Sequence, residues 1–161
     1  MQPLNIRPLE AAELPLLREF LYQAIFQRDP QNLLPRSIIE QPEVAVYIQN
    51  FGQKDDYCLL AELEGQVVGA VWVRILADEP RGFGNLDATT PEFAISVLPK
   101  WRGQGIGKQL MQAMLELLAE QGYARTSLAV QKDNYACQLY YQVGFQVIAE
   151  TAEEYIMEYR F

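Results

Sequence analysis

Seven consecutive residues, Arg102-Gly103-Gln104-Gly105-Ile106-Gly107-Lys108, are of the types and spacing that could hold an anion. They follow the apolar run Phe93 to Leu98. They precede Leu110, Met111, Met114, Leu115, Leu117 and Leu118, whose spacing predicts a helix ending near Gly122, so the unit reads strand, glycine loop, helix. The first N–H groups of a helix have no intrahelical partner and share the positive end of the helix dipole. Glycine carries no Cβ to hold a phosphate away from those groups, and Arg102 and Lys108 add full positive charge. No acidic residue stands between Phe93 and Leu115, although the formal charge of the chain is −8. Such a gap points to a phosphate or pyrophosphate ligand. A glycine turn that serves only close packing is the other reading. The spacing fits neither GxxxxGK followed by Ser or Thr, since Gln109 follows Lys108, nor an early GxGxxG dinucleotide loop.

The rest of the composition limits the proton chemistry. There is no histidine, which removes His-based triads, His-ligated zinc and imidazole bases; proton transfer falls to Glu, Asp, Tyr, Cys, Lys, water or backbone. Cys58 and Cys137 stand far apart in apolar surroundings and fit neither a redox pair nor a metal knuckle. With 13 basic against 21 acidic residues, the charge is opposite to a nucleic-acid binder's. The opening segment lacks the basic and apolar regions of a secretory signal, and no apolar run is long enough to span a bilayer, so the expected location is the cytoplasm, with no membrane partner.

The elements that must position the glycine loop follow from hydrophobic periodicity. Residues 5–7 read as a strand and 11–26 as an amphipathic helix with Leu14, Leu17, Leu21 and Ile25 on one face. A long connection, 27–41, leads to a second helix carrying Val44, Tyr47, Ile48 and Phe51. Strands at 57–63 and 67–76 join through Glu64-Gly65-Gln66 as a hairpin, and the polar, turn-rich 78–90 precedes the fourth strand. A strand at 126–130, a short helix at 134–143 stopped by Gly144 and strands near 145–149 and 155–160 finish the chain. Its 161 residues suit a single domain, 1–161.

The stretch Ile95-Ser-Val-Leu-Pro-Lys-Trp-Arg-Gly-Gln-Gly-Ile-Gly-Lys108 resembles motif A of the GNAT superfamily of acyl-CoA N-acyltransferases. Asn134-Tyr-Ala-Cys-Gln-Leu-Tyr140-Tyr-Gln-Val-Gly-Phe145 is similar to its motif B. The resemblance implies an α/β fold of α+β type: a mixed, mostly antiparallel sheet of about seven strands with about four helices, and a cofactor cleft at splayed central strands. It implies acetyl-CoA as co-substrate, with Ile95, Ser96 and Val97 offering backbone hydrogen bonds to the pantetheine arm. Arg102, Gly103, Gln104, Gly105, Ile106, Gly107 and Lys108 would hold the pyrophosphate, and Asn134 would contact the cofactor near its pantetheine arm. The implied reaction is attack of a primary amine, from a small molecule or peptide, on the acetyl thioester. The resemblance also allows a homodimer, and a catalytically silent acyl-CoA sensor is the alternative to an enzyme.

The attacking amine must be neutral, and a lysine-like amine of pKa about 10.4 is neutral only about once in 2,500 molecules at pH 7. By resemblance Tyr140 is the acid that protonates the departing thiolate, since a phenol is protonated at neutral pH. Ala136, Leu139, Tyr140 and Val143 also share one helix face, so a core aromatic with a satisfied hydroxyl is the competing reading. Glu92, at the start of the fourth strand, is the implied base acting through water; a solvated strand-end carboxylate is its competing reading. The acidic residues Glu150, Glu153, Glu154 and Glu158 read as a solvated face that the resemblance sets beside the acceptor.

Overall fold

The structure, a computed structural model, describes residues 3–161. Seven strands form one sheet: β1 Asn5–Pro8, β2 Tyr57–Leu63, β3 Gln66–Arg74, β4 Glu92–Val97, β5 Arg125–Gln131, β6 Gln146–Glu150 and β7 Glu154–Arg160, in the order β1-β2-β3-β4-β5-β7-β6. Four α-helices accompany it: α1 Leu16–Ala24, α2 Pro42–Ala45, α3 Ile106–Glu120 and α4 Ala136–Val143. Every strand pair is antiparallel except β4 with β5, which run parallel and share one registered pair, Glu92 with Ser127. The mixed, mostly antiparallel sheet with four helices is the architecture that the family resemblance implies.

Alternation along the strands sends side chains to two cores. On one face α3 lays Ile106, Leu110, Met111, Met114, Leu115 and Leu118 against Leu59, Val71, Val73, Leu128 and Met157. On the other, Leu17, Phe20 and Leu21 of α1 pack on Leu60, Ala70 and Trp72. Each such buried side chain contributes about 1.5–3 kcal/mol relative to an exposed one. With a layer on either side, β3 is buried from Val68 to Arg74.

Three helix boundaries differ from those read off the periodicity. The first helical segment splits into a 3-10 turn, Ala11–Glu13, and α1, because Pro15 occupies the N-cap position of α1. The turn is closed by a capping box between Glu10 and Glu13. The second helix is shorter, with turns continuing past Ala45 until Asn50, whose φ of 56° lies in the left-handed region. The last helix begins at Ala136, since the Asn134 side chain makes a local turn, its Oδ1 accepting the Ala136 N–H at 2.9 Å.

Candidate active site

Beyond the Glu92–Ser127 pair, β4 and β5 have no further registered partners, and the fork between them opens. The Pro91 carbonyl accepts the Ser127 N–H at 3.0 Å, while the Leu98 N–H donates to Val68 on β3 at 2.8 Å. Strand alternation between those two bonds turns the backbone groups of Ile95 and Val97 toward the fork, with no strand to pair them. Ser96 differs from the expectation. Its hydroxyl donates to the Phe20 carbonyl of α1 at 2.7 Å, and the same alternation directs its backbone groups to β3, so it borders the cleft with no free donor.

A cleft of about 800 Å³ follows the fork. One wall is the segment after α1, including Ala24, Ile25 and Phe26; the other is the start of α4 with Asn134, Leu139 and Tyr140. Its mouth is the glycine loop. Gly103 and Gly105 have φ of 78° and 82°, a conformation L side chains rarely adopt, and a Cβ on either would meet nothing within 4 Å. Gly105 is the N-cap of α3, with no side-chain cap and no acid in the first turn. The first N–H groups of a 15-residue helix are thus left to a ligand. Gly107 and Lys108 line the mouth, Ile106 buries its side chain and offers only backbone, and Gln104 stays on the exposed side of the turn. Arg102 is held by its own chain, Nε donating to the Val97 carbonyl at 2.8 Å and Nη2 to Gln23 Oε1 at 3.1 Å. Its charge remains at the mouth, but it also ties the loop to α1.

Tyr140 stands in the cleft wall with its ring edge-on to Phe145, centroids 6.3 Å apart. No described residue hydrogen-bonds its hydroxyl. Burial, then the neighbouring Cys137, pushes this phenol up to about 12, so it remains a proton donor throughout the neutral range.

Glu92 does not line this cleft. It is 3% exposed, turned to the α1 face of the sheet and sealed under residues 82–85. Its Oε2 accepts the Tyr47 hydroxyl in a short bond and the Gly84 N–H at 3.0 Å; its Oε1 has no partner. Burial raises it to about 7 against the two donated hydrogen bonds, with the charge of Glu154 adding to the rise. Neither a solvated strand-end carboxylate nor a group open to the cleft fits this placement.

Several participants were not singled out by motif. Tyr47 reads in the sequence as one apolar position of a helix, and Gly82 and Gly84 as loop glycines. Arg28 reaches from the segment after α1 to Asp133 and to Gln131 Oε1, at 2.9 and 3.2 Å, strapping the walls of the fork together. Only the Gly-x-Gly spacing within 82–84 could have signalled a close approach.

The sequence profile of the acetyltransferase (GNAT) family matches residues 20–145. N-acetyltransferase 8 of Mus musculus is 39% identical over 93 residues, covering 57% of this chain and 39% of that protein. A mycothiol acetyltransferase of Saccharomonospora viridis is 32% identical over 102 residues, covering 63% and 33%. The chain thus spans less than half the length of these curated relatives. Among solved structures, the PaiA N-acetyltransferase of Thermoplasma acidophilum in complex with coenzyme A superposes with a TM-score of 0.69 at 19% identity, covering 99% of each chain. A ribosomal-protein-alanine N-acetyltransferase of Brucella melitensis gives 0.70 at 22%, covering 98% and 99%. These structures share the fold, and the profile match over most of the sequence establishes that the chain belongs to the GNAT family of acetyltransferases.

Proposed function

We propose that this protein is an acetyl-CoA-dependent N-acetyltransferase whose acceptor is a primary amine of a small molecule or peptide. The observation that carries the reading is the uncapped start of α3, beneath two left-handed glycines, at the mouth of a cleft that runs along the unpaired edge of β4 to Tyr140. The N–H groups of Ile106, Gly107 and Lys108 and the Lys108 ammonium suit a pyrophosphate. The backbone groups of Ile95 and the N–H of Val97, whose carbonyl already accepts Arg102 Nε, suit the amides of a pantetheine arm. The names of relatives, N-acetyltransferase 8 and mycothiol acetyltransferase, agree in acetyl transfer and differ in the rest.

In this reading the neutral amine attacks the thioester carbonyl carbon, and the carbon–sulfur bond breaks as the amide forms. The departing thiolate receives a proton at the Tyr140 hydroxyl, and the nitrogen loses its extra proton to solvent. A phenol near 12 facing a thiol of about 8.5 acts first as a hydrogen-bond donor to developing charge, since complete transfer is uphill by about 5 kcal/mol. Reprotonation from water restores Tyr140.

The test is release of free thiol from acetyl-CoA across a broad panel of amines, with the acetylated product identified by mass. Amine-dependent release supports the enzyme. Tight acetyl-CoA binding without release for any amine would instead support the silent sensor.

A further inference from the structure

Glu92 joins four segments that are far apart in sequence. It stands on β4. Its Oε2 takes donors from Tyr47, in the turns after α2, and from Gly84, in the connection between β3 and β4. The Tyr47 oxygen in turn accepts the Phe83 N–H at 2.9 Å, and the Trp72 indole donates to the Tyr47 carbonyl at 3.0 Å. The fourth segment is β5, where the Ser127 hydroxyl donates to the Gly84 carbonyl at 2.7 Å. Residues 82–85 are therefore wedged into the vertex of the β4–β5 fork on the α1 face.

Sterics agree with the hydrogen bonds. A Cβ on Gly82 would stand 2.1 Å from Glu92 Oε1, and one on Gly84 would stand 2.7 Å from the backbone of Leu128 and Ala129. Both glycines are needed for the loop to reach the carboxylate and β5 at once. The wedge leaves one large group outside, the Phe83 ring, 51% exposed and stacked on Tyr47 with centroids 6.3 Å apart and planes within 14°.

We propose that Glu92 is a positioning residue: it seats residues 82–85 in the fork and so holds Phe83 as a wall of the acceptor side. This rests on the acetyltransferase reading. The donor cleft runs along the same fork between the end of α1 and α3 and α4, and Phe83 is not in its lining but is displayed from the loop seated at the vertex of that fork, an exposed aromatic for an acceptor to meet. Glu92 acts through Tyr47 and Gly84 and takes no proton from the amine.

Two measurements test it. Hydrogen exchange of the Phe83 and Gly84 amides needs no substrate. Tyr47→Phe should speed both at least about 10-fold, with amides of β3 and α3 unchanged, while Glu92→Gln, whose carbonyl can still accept both donors, should keep them within about 3-fold of wild type. Kinetics with tyramine, spermidine and an alanine-initiated tetrapeptide supply the second measurement. For whichever turns over fastest, Tyr47→Phe and Phe83→Ala should raise the acceptor KM about 5- to 10-fold with the acetyl-CoA affinity unchanged. Glu92→Gln should keep kcat and its pH profile within about 3-fold. Unchanged exchange in Tyr47→Phe would overturn the proposal. So would a fall in kcat of about 100-fold or more in Glu92→Gln with loss of the acid limb near pH 7, the mark of a general base. Absence of acetyl-CoA binding by the wild type would remove the acetyltransferase reading instead, leaving the exchange data to decide whether the loop is locked.

Discussion

Replacing Glu92 by glutamine should stabilise the protein, and the gain should grow with pH. The carboxyl is raised from 4.5 to about 7, chiefly by burial, and Oε1 is left without a partner. A group whose acidic form is favoured in the fold stabilises least where it must ionise. Its contribution is fully present below about pH 4.5, declines as the pH climbs, and reaches its full cost above about pH 7. That cost is about 3 kcal/mol, at about 1.4 kcal/mol for each pH unit between the two values. Glutamine presents the same carbonyl to Tyr47 and Gly84 without a charge to bury. Its neutral bonds are weaker than those to a carboxylate, which offsets part of the gain by about 1 kcal/mol. Urea unfolding of wild type and Glu92→Gln at pH 5 and pH 8.5 measures the difference, and titrating groups not coupled to Glu92, as Glu154 is, cancel in the comparison. The stability difference should move in favour of the variant by about 2–3 kcal/mol between the two pH values. A difference that stays flat, or that moves toward the wild type, would refute the burial argument.

Three other perturbations separate the parts of the site. Tyr140→Phe removes the hydroxyl that α4 itself presents to the cleft, beside that of its N-cap residue Tyr135; kcat should fall about 100-fold with acetyl-CoA affinity retained, read by single-turnover kinetics beside calorimetry. Gly105→Ala forces a side chain to φ near 82° with no clash in the fold, so stability should drop by only about 1–2 kcal/mol in thermal unfolding. Its acetyl-CoA affinity should weaken at least about 10-fold, because the new methyl stands beside the free N–H groups. Arg74→Met breaks a pair with Asp56 in which both side chains are under 10% exposed, and empties the bonds to the Val46 and Gln49 carbonyls; urea unfolding should show a loss of about 3–5 kcal/mol.

The sequence carried the parts of the site that local chemistry dictates. A glycine loop between an apolar strand and an amphipathic helix can fold in few ways, so its placement at the start of α3 and that of Tyr140 on the short helix after β5 were both legible. The strand and helix order was legible for the same reason, apart from Pro15 and Asn50, whose backbone preferences moved two boundaries. What depended on distant partners was not. Period-two alternation placed Glu92 on the same face as Ala94 and Ser96, yet whether that face is wet depends on residues 82–85 folding over it and on Tyr47, 45 positions away. Arg102 reads as a ligand for phosphate until Gln23, 79 positions earlier, is brought beside it. Ser96 reads as part of a binding strand, and only the pairing with β3 and the carbonyl of Phe20 show where its groups point.

The most direct measurement is a calorimetric titration of the protein with acetyl-CoA, with NAD and ATP titrated under the same conditions. Selective binding of acetyl-CoA at one site, lost or weakened at least about 10-fold in Gly105→Ala, is the result predicted from the cradle at the start of α3. No heat with acetyl-CoA, or equal affinity for NAD or ATP, would contradict the assignment of the cleft to a CoA thioester and with it the proposed acetyl transfer.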